Sequence, residues 1–263
     1  MSIYRWRLFV NTVAIRGLVL GEGRPKICIP IIGKTKEEIL EEAKKIRKLP
    51  ADIVEWRGDW YEDVFHGERL RETLRALREV LGEKPLLFTF RSIQEGGERP
   101  VRPDQYLDMN REVCASGCAD AVDVELFLDA KISKAVTDMA HRFGKVVIAS
   151  NHDFIKTPEK DEIIRRLILM DEMGADILKI AVMPKQASDV LELLGATEEM
   201  LRLYTEKPLV TMSMGPLGLV SRICGETFGS AMTFGAGEKA SAPGQMPAEK
   251  LEKVLEAIHE HMA

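Results

Sequence analysis

A single lysine lies in the middle of an apolar segment of this chain. Lys179 falls within the run 175–182, whose letters are ADILKIAV and which Met183 and Pro184 end. A short β-branched run of this kind is typical of a buried strand. An ammonium group there loses its water, which is unfavourable unless the group is paired or neutralised. Loss of its proton would leave an amine that can attack a carbonyl carbon, so Lys179 is a candidate Schiff-base lysine. A strand lysine that is held in a salt bridge or snorkels to the surface would show the same pattern.

Other polar side chains also come late in apolar runs, two residues apart, so that each pair shares one face of a strand. They are Glu55 with Arg57, Thr89 with Arg91, Asp123 with Glu125, Ser150 with His152, and Thr211 with Ser213. Such a set indicates a polar cavity, although a purely structural layer of ion pairs is the alternative. An amine, an imidazole and several carboxylates are the groups that carbonyl chemistry needs to form an iminium and move protons.

Three arginines indicate the charge of the ligand. Arg57, Arg91 and Arg222 would form a cationic wall, and a guanidinium matches a carboxylate or phosphate through two parallel hydrogen bonds. We therefore expect a small anionic substrate, even though the chain carries a net charge of −5.

Two further features have both a catalytic and an ordinary interpretation. His152 could be a hydrogen-bonding residue at a strand end, but its place before Asp153 and Phe154, where a loop opens, favours a role in proton transfer. The glycine-rich segment 235–245 could be a plain connection, or it could close over a bound substrate and exclude water.

The elements that must position these residues alternate along the chain. Apolar, β-rich runs occupy residues 26–32, 52–59, 86–92, 121–127, 145–152, 176–182, 209–215 and 230–235. Helical patterns occupy residues 35–49, 67–81, 105–115, 129–143, 157–173, 188–204 and 247–262, with a brief one at 219–224. Eight such repeats predict a (β/α)8 TIM barrel, in which active sites lie at the carboxyl ends of the strands.

An open doubly wound sheet is the alternative architecture. It would usually carry a G-x-G-x-x-G turn after the first strand, and this turn is Ile32-Gly33-Lys34-Thr35 instead. Gly33-Lys34-Thr35 resembles the end of a P-loop, but Cys28 stands where the P-loop requires glycine. We predict one catalytic barrel domain over residues 1–263, with residues 1–25 as an extension that forms a hairpin closing the barrel bottom.

Composition excludes several classes of protein. A hydrophobic fraction of 45% supports a full core, and the negative net charge argues against a nucleic-acid binder. No apolar run reaches the roughly 20 residues that span a bilayer, so no membrane partner is expected. The four cysteines show neither a disulfide framework nor a paired metal-ligand spacing, so we expect no metal and free thiols in a cytoplasmic protein.

Taken together, the motifs resemble those of the type I 3-dehydroquinate dehydratases, which form a Schiff base. The resemblance covers about four-fifths of the chain, from the second strand to the last loop, and the first 25 residues do not contribute to it. Its segments are VEWR at 54–57, FTFRS at 88–92, EGG at 95–97, DVELF at 123–127, SNHDF at 150–154, ILKIA at 177–181, SR at 221–222 and SAPGQ at 241–245.

The resemblance implies a role for each matching residue. Lys179 would condense with the C3 ketone of 3-dehydroquinate, His152 would move protons at C2 and at the departing C1 hydroxyl, and Glu95 would hold His152. Arg222 would clamp the substrate carboxylate. The residues that would bind ring hydroxyls and close the site are Glu55, Arg57, Arg91, Ser241 and Gln245. The resemblance further implies a homodimer in aromatic amino acid biosynthesis, with no metal or organic cofactor because the lysine itself is the electron sink.

Two other functions fit part of the pattern. A lysine-dependent aldolase of the same barrel type would share the strand lysine but would break a C–C bond, and its phosphosugar members use a glycine-rich phosphate cup. Gly215-Pro216-Leu217-Gly218 could form such a cup, whereas Arg222 and segment 241–245 favour a carboxylate and hydroxyls. A barrel that only binds a ligand is disfavoured because lysine, histidine and an orienting glutamate are all present.

Overall fold

The computed structural model describes residues 10–238 and 242–262, and they form the predicted (β/α)8 barrel. Two short strands, β1 (Val13–Ile15) and β2 (Leu18–Leu20), form an antiparallel hairpin. The barrel strands follow: β3 (Lys26–Ile31), β4 (Ile53–Arg57), β5 (Leu86–Thr89), β6 (Ala121–Glu125), β7 (Val146–Asp153), β8 (Ile177–Val182), β9 (Leu209–Ser213) and β10 (Met232–Ala236). A two-residue strand, β11 (Met246–Pro247), pairs with the end of β10. All pairings in the barrel are parallel, with β10 next to β3 and then each strand beside its successor up to β9.

The barrel closes between β9 and β10 through few hydrogen bonds. Leu209 forms an isolated parallel bridge with Ser230, and the amide of Ala231 donates to the Leu209 carbonyl at 2.7 Å. The hydroxyl of Ser230 adds an acceptor for the amide of Thr211 at 3.0 Å. This junction is therefore a seam, with a shorter ladder than the six paired positions that join β7 to β8.

Helices surround the sheet, and their amphipathic faces cover the outer side of the strands. They are α1 (Lys36–Ile46), α2 (Gly67–Leu81), α3 (Pro103–Ala115), α4 (Ala130–Arg142), α5 (Lys160–Glu172), α6 (Ala187–Leu203), α7 (Leu219–Ile223), α8 (Gly225–Phe228) and α9 (Ala248–Met262). Thr35 caps α1, because its hydroxyl accepts from the Glu38 amide at 3.3 Å. Within the described ranges, none of the helices combines the length and apolar character that a bilayer crossing requires.

Helix α5 begins later than the sequence predicts. Thr157 and Pro158 suggest a cap and a first helical residue, yet α5 starts at Lys160, and the Thr157 hydroxyl has no hydrogen-bond partner in the part of the chain that the structure describes. The carbonyl of Lys156 accepts from the amide of Met183 at 3.3 Å, just beyond β8. This tertiary contact holds the chain extended and delays the helix.

The hairpin closes the bottom of the barrel, as predicted. Ile15 and Leu20 are buried and belong to the same apolar cluster as the first inward-facing side chains of the strands. Those strand residues are Cys28, Ile53, Leu87, Ala121, Ile148, Ile177, Val210 and Met232. Arg16, at the hairpin turn, donates to Asp120 at 3.0 Å and to Glu83 at 2.9 Å and so ties the hairpin to the barrel. Above this apolar layer the inward-facing positions of β4 to β8 become polar, and that change places the site at the opposite end.

Candidate active site

A cavity of about 240 Å³ opens at the carboxyl ends of the strands. The cavity is lined by Glu55, Arg57, Arg91, Glu95, Gly96, His152, Phe154, Lys179, Ala181, Met212, Met214, Arg222, Phe234, Ala242, Pro243 and Gln245. Every described residue to which the family resemblance assigned a role is therefore among the lining residues. Ser241, which was also predicted, lies outside the described residues.

Lys179 projects from the middle of β8 into the barrel and is only 3% exposed. Its Nζ donates to Asp123 Oδ2 at 3.1 Å and lies 3.9 Å from Glu55 Oε1. The ring of Phe234 covers another side, with its centroid 4.8 Å from Nζ. Because a buried ammonium needs partners, this environment explains how the strand tolerates a lysine, and it leaves the nitrogen at the cavity wall.

Asp123, on β6, is the carboxylate closest to that nitrogen. Its other oxygen, Oδ1, accepts from Arg91 Nη2 at 2.7 Å and from Ser150 Oγ at 2.6 Å. Burial alone would raise the pKa of Asp123, but the cations of Arg91 and Lys179 lower it below the ordinary value. Asp123 is therefore an anion at neutral pH.

Two of the three predicted arginines are occupied by carboxylates. Arg57 forms a bidentate pair with Asp59 at 2.7 and 2.8 Å. Arg91 is buried and, besides Asp123, donates to Glu125 at 3.0 Å and to Glu95 at 3.4 Å. Arg91 thus links the carboxylates of β6 to the loop after β5, and the predicted cationic wall is largely neutralised at these two positions.

Glu95 and His152 form a hydrogen-bonded pair across the cavity wall. Nδ1 of His152 lies 3.0 Å from Glu95 Oε2, and the backbone amide of His152 donates to the same oxygen at 3.0 Å. Asn151 donates to the other oxygen of Glu95 at 2.9 Å. When Nδ1 donates to Glu95, the second ring nitrogen, Nε2, is the one left free to take a proton.

Burial shifts the pKa values of Glu95 and His152 in opposite directions. Burial, followed by the cations of Arg91 and Lys179, lowers the pKa of His152 well below its ordinary value. Burial and the nearby carboxylate of Glu125 raise the pKa of Glu95 to about 8. The ordinary order of the two pKa values is thereby reversed, so the pair titrates as one unit in which a proton can pass between the imidazole and the carboxyl group.

The ring of Phe154 covers the pair and requires a glycine beside Glu95. The rings of Phe154 and His152 are stacked, with centroids 6.4 Å apart and planes at 20°. A Cβ at Gly96 would lie 2.4 Å from the Phe154 ring, and Gly96 also has a φ of +82°. The Glu95-Gly96-Gly97 motif thus lets an aromatic side chain shield the Glu95–His152 pair.

Arg222, on the short helix α7, is buried but is not paired with an acid. Its Nη2 donates to the carbonyl of Pro243 at 3.1 Å, Nη1 lies 3.8 Å from Met212 Sδ, and Nε has no hydrogen-bond partner within the described ranges. Burial lowers the pKa of Arg222 to about 10, so the group stays charged at neutral pH. Among the described residues no acidic side chain forms an ion pair with it, so its free N–H groups suit an anion in the cavity.

Residues 242–245, which follow β10, lie beside the cavity and meet the loop after β9. The carbonyl of Pro243 accepts from the amide of Gly215 at 3.2 Å as well as from Arg222. Gly244 has a φ of +79°, and a Cβ there would lie 2.5 Å from the Gly215 carbonyl oxygen. Gln245 follows directly and lines the cavity.

The sequence predicted that Thr211 and Ser213 of β9 face the cavity, and this prediction was wrong. Thr211 and Ser213 face the helices, because the Thr197 hydroxyl of α6 donates to Thr211 at 2.8 Å and the Ser213 amide donates to Ser221 at 2.9 Å. The cavity residues from this region are Met212 and Met214. Both faces of a barrel strand are buried, one against the barrel interior and one against the helices. The position of a polar residue in the run therefore does not show which of the two faces it occupies.

Sequence reasoning also did not count Asp123 among the site residues. The alternation Asp123-Val124-Glu125 placed both carboxylates on one face, which the structure confirms through their shared partner Arg91. Which of the two would contact Lys179 depends on the register between β6, β7 and β8, and the sequence pattern does not contain that register.

Comparison with known proteins agrees with this geometry. The family model described as type I 3-dehydroquinase matches residues 27–262. The 3-dehydroquinate dehydratase of Clostridioides difficile (strain 630) is 49% identical over 247 residues, which are 94% of this chain and 97% of that protein. That of Salmonella typhimurium (strain LT2) is 49% identical over 251 residues, which are 95% of this chain and 100% of that protein.

A solved structure shows the same likeness in three dimensions. The type I 3-dehydroquinate dehydratase from Clostridium difficile, with covalent modified comenic acid, superimposes with a TM-score of 0.93 at 48% identity. The superposition covers 96% of this chain and 99% of that one. With a family match over nearly the full length and relatives near half identity, the chain belongs to the type I 3-dehydroquinase family.

Proposed function

We propose that this protein is a hydro-lyase that dehydrates 3-dehydroquinate to 3-dehydroshikimate through an imine on Lys179, within a single catalytic domain. The observation that carries the proposal is one cavity that holds three groups together: the amine of Lys179, the Glu95–His152 pair and a buried arginine, Arg222, that has no acidic partner among residues 10–238 and 242–262. These are a nucleophile for a ketone, a group that moves protons, and a site for a carboxylate.

The steps follow from these groups. The neutral amine of Lys179 adds to the C3 ketone, and loss of one water gives an iminium. His152 takes a proton from C2, the electron pair moves into the iminium, and the C1 hydroxyl then leaves as water with a proton from His152. A third step adds water to the iminium, which restores the ketone and the free lysine. Two waters are released and one is consumed, so the reaction loses one water overall.

The remaining cavity residues are proposed to bind and enclose the substrate. Arg222 receives the carboxylate through the N–H groups that have no acidic partner in the described chain. Glu55, Arg57 and Gln245 line the cavity where ring hydroxyls would lie, and Ser241 is assigned to the same task on the family resemblance alone. Arg91 also lines the cavity, but its ion pairs support a second role, which is to hold the carboxylates around Lys179. The resemblance further supports a homodimer in the cytoplasm.

Borohydride trapping tests the proposal directly. Reduction in the presence of 3-dehydroquinate is expected to leave a covalent adduct on Lys179, which mass spectrometry of peptides locates. Lys179→Met should form no adduct and should have no turnover, measured as the ultraviolet absorbance of the conjugated enone product. An adduct on another lysine, or none in the unmodified protein, would overturn the mechanism. Consumption of substrate without the enone would favour carbon–carbon bond cleavage by an aldolase instead.

A further inference from the structure

The carboxylate that contacts the reacting nitrogen is not among the side chains that line the cavity. Asp123 is buried on β6, and its Oδ2 lies 3.1 Å from Lys179 Nζ. Its other oxygen is fixed by two donors, Arg91 and Ser150. A carboxylate held at both oxygens in a buried position keeps its place while the substrate on the other side of the nitrogen changes.

We propose that Asp123 is the fixed counter-ion of the reacting nitrogen, holding its negative charge against Nζ from the free ammonium to the iminium without accepting a proton. The proposal rests on the imine mechanism proposed above for Lys179. The iminium carries one positive charge on Nζ, as the ammonium does. A preorganised anion at that atom therefore stabilises both charged states and orients the nitrogen toward the cavity.

The surroundings of Asp123 explain why it would not act as the base. Oδ1 already accepts hydrogen bonds from Arg91 and Ser150, and Oδ2 faces Lys179, so each oxygen has a donor directed at it. The cations also lower the pKa of Asp123, which makes it a weak proton acceptor. Protons released from Lys179 or the substrate would therefore go to His152, which lines the cavity.

The other charged groups near Lys179 differ from Asp123 in geometry. Glu55 is 3.9 Å away, lines the cavity, and accepts from Thr89 at 2.8 Å. Glu125 directs Oε1 at Arg91 and at the amide of Ser92 at 2.7 Å. The titratable and charged groups that face this region from the packed elements are Cys28 of β3, Glu55 and Arg57 of β4, Arg91 and Glu95 after β5, Glu125 of β6, and His152 of β7.

Glu125 supplies a matched control for Asp123. Both are acidic residues on β6, both are buried, and both are ion-paired with Arg91, but of the two only Asp123 contacts Lys179. Asp123→Asn and Glu125→Gln each remove one negative charge and preserve the shape of the side chain. A general loss of charge around Arg91 would affect both variants, whereas loss of a counter-ion at Nζ would affect only the first.

The measurement is the rate of borohydride-trapped imine formation with 3-dehydroquinate as a function of pH. In Asp123→Asn the ammonium of Lys179 loses its closest anion and gives up its proton more easily, so the acidic limb should move about 1 to 3 pH units lower. Dehydration by this variant should slow roughly 10-fold or more, because the iminium also loses the anion. In Glu125→Gln the acidic limb should keep its position.

The outcomes separate this inference from the proposed function. If the unmodified protein forms no adduct on Lys179, the proposed function fails. If it forms the adduct but Asp123→Asn has the same pH profile, or if Glu125→Gln shifts it equally, the counter-ion role is wrong.

A double variant keeps the test decisive if Asp123→Asn folds poorly. Asp123→Asn with Lys179→Met removes both charges, and it should unfold at a higher temperature than Asp123→Asn alone, because no buried ammonium is left without its partner. An unfolding temperature that does not recover in the double variant would contradict the pairing.

Discussion

At the scale of residues, the Glu95–His152 pair shows how a buried site can hold a base and an acid at once. Burial disfavours the charged forms of both groups, so the pKa of Glu95 rises while that of His152 falls. A proton taken from the substrate by His152 then has a carboxylate beside it that stabilises the imidazolium. This arrangement allows His152 to act first as a base and later as an acid.

Glu95→Gln tests this function of the pair. The amide can still accept from Nδ1 of His152, but it cannot balance the positive charge of the imidazolium. We expect kcat to fall roughly 100-fold, KM to change little, and the borohydride adduct on Lys179 still to form. Steady-state kinetics and peptide mass spectrometry provide the two readouts.

Glu98→Gln is the matched control, because Glu98 lies in the same loop with an exposed side chain. It should retain full activity. If Glu95→Gln kept normal kcat, or if it failed to form the imine, the assignment of Glu95 to proton transfer through His152 would be wrong.

Residue types and spacing predicted much of this site but not its pairings. Lys179 and His152 do line one cavity, as expected from polar groups late in apolar strands, and Glu95, which only the resemblance indicated, and Arg222 line it too. The contact between Asp123 and Lys179 could not be predicted, because it depends on how the neighbouring strands are staggered. The long side chain of Arg91 is another case, since it reaches carboxylates on several elements.

At the scale of elements, residues 242–245 after β10 are joined to the proposed carboxylate site through Arg222. The carbonyl of Pro243 accepts from both Arg222 and Gly215, so one backbone atom ties the loop to α7 and to the loop after β9. The next residue, Gly244, fits only because it lacks a side chain. The position of residues 242–245 beside the cavity therefore depends on this backbone contact.

Gly244→Ala should disturb that position. A Cβ would lie 2.5 Å from the Gly215 carbonyl oxygen, so the loop would have to move away from the cavity. We expect kcat/KM to fall roughly 10-fold or more, mainly through a higher KM, because Arg222 and Gln245 lose their positions relative to the substrate. Initial-rate measurements over a range of substrate concentrations would show this.

Gly117→Ala controls for backbone strain alone. Gly117 has a φ of +72°, close to that of Gly244, but a Cβ there would meet nothing within 4 Å. It precedes β6 at the other end of the barrel, so its variant should lose some stability and keep its kinetics. Equal kinetic losses in both variants would count against displacement of residues 242–245 as the cause.

Element type was predictable throughout the barrel, whereas some boundaries were not. Alternating apolar runs and amphipathic segments identified all eight barrel strands and the helices between them except α8, since only residues 219–224 were predicted to be helical between β9 and β10. The start of α5 is set by the contact between Lys156 and Met183, two residues that lie far apart in the sequence. Local capping signals such as Thr157-Pro158 cannot compete when a neighbouring strand holds the chain extended.

At the scale of the whole molecule, the hairpin supplies apolar side chains that the barrel bottom would otherwise lack. Leu20→Ala should lower the free energy of unfolding by about 2 to 5 kcal/mol, since it leaves a cavity in a fully buried cluster. Val19→Ala changes the neighbouring, half-buried residue on the other face of the hairpin and should cost less. Chemical denaturation measures both.

Leu20→Ala should lower the stability of the protein without changing the chemistry of the active site. The hairpin and the cavity lie at opposite ends of the barrel, so Leu20→Ala should keep the rate of imine formation at temperatures where it remains folded. A similar loss of stability in Val19→Ala and Leu20→Ala would show that the buried contacts of Leu20 do not carry the effect.

The seam between β9 and β10 has a consequence for how the molecule can move. The groups proposed for the chemistry, Glu95, Asp123, His152 and Lys179, are attached to the continuous ladder from β5 to β8. Arg222 and the loop that carries Pro243 lie on the chain at either side of the seam. Small opening motions at this weak junction would widen the mouth without altering the distances among the reacting groups. We therefore expect the admission of substrate to depend on the β9–β10 side of the barrel and the bond-making steps to depend on the continuous ladder from β5 to β8.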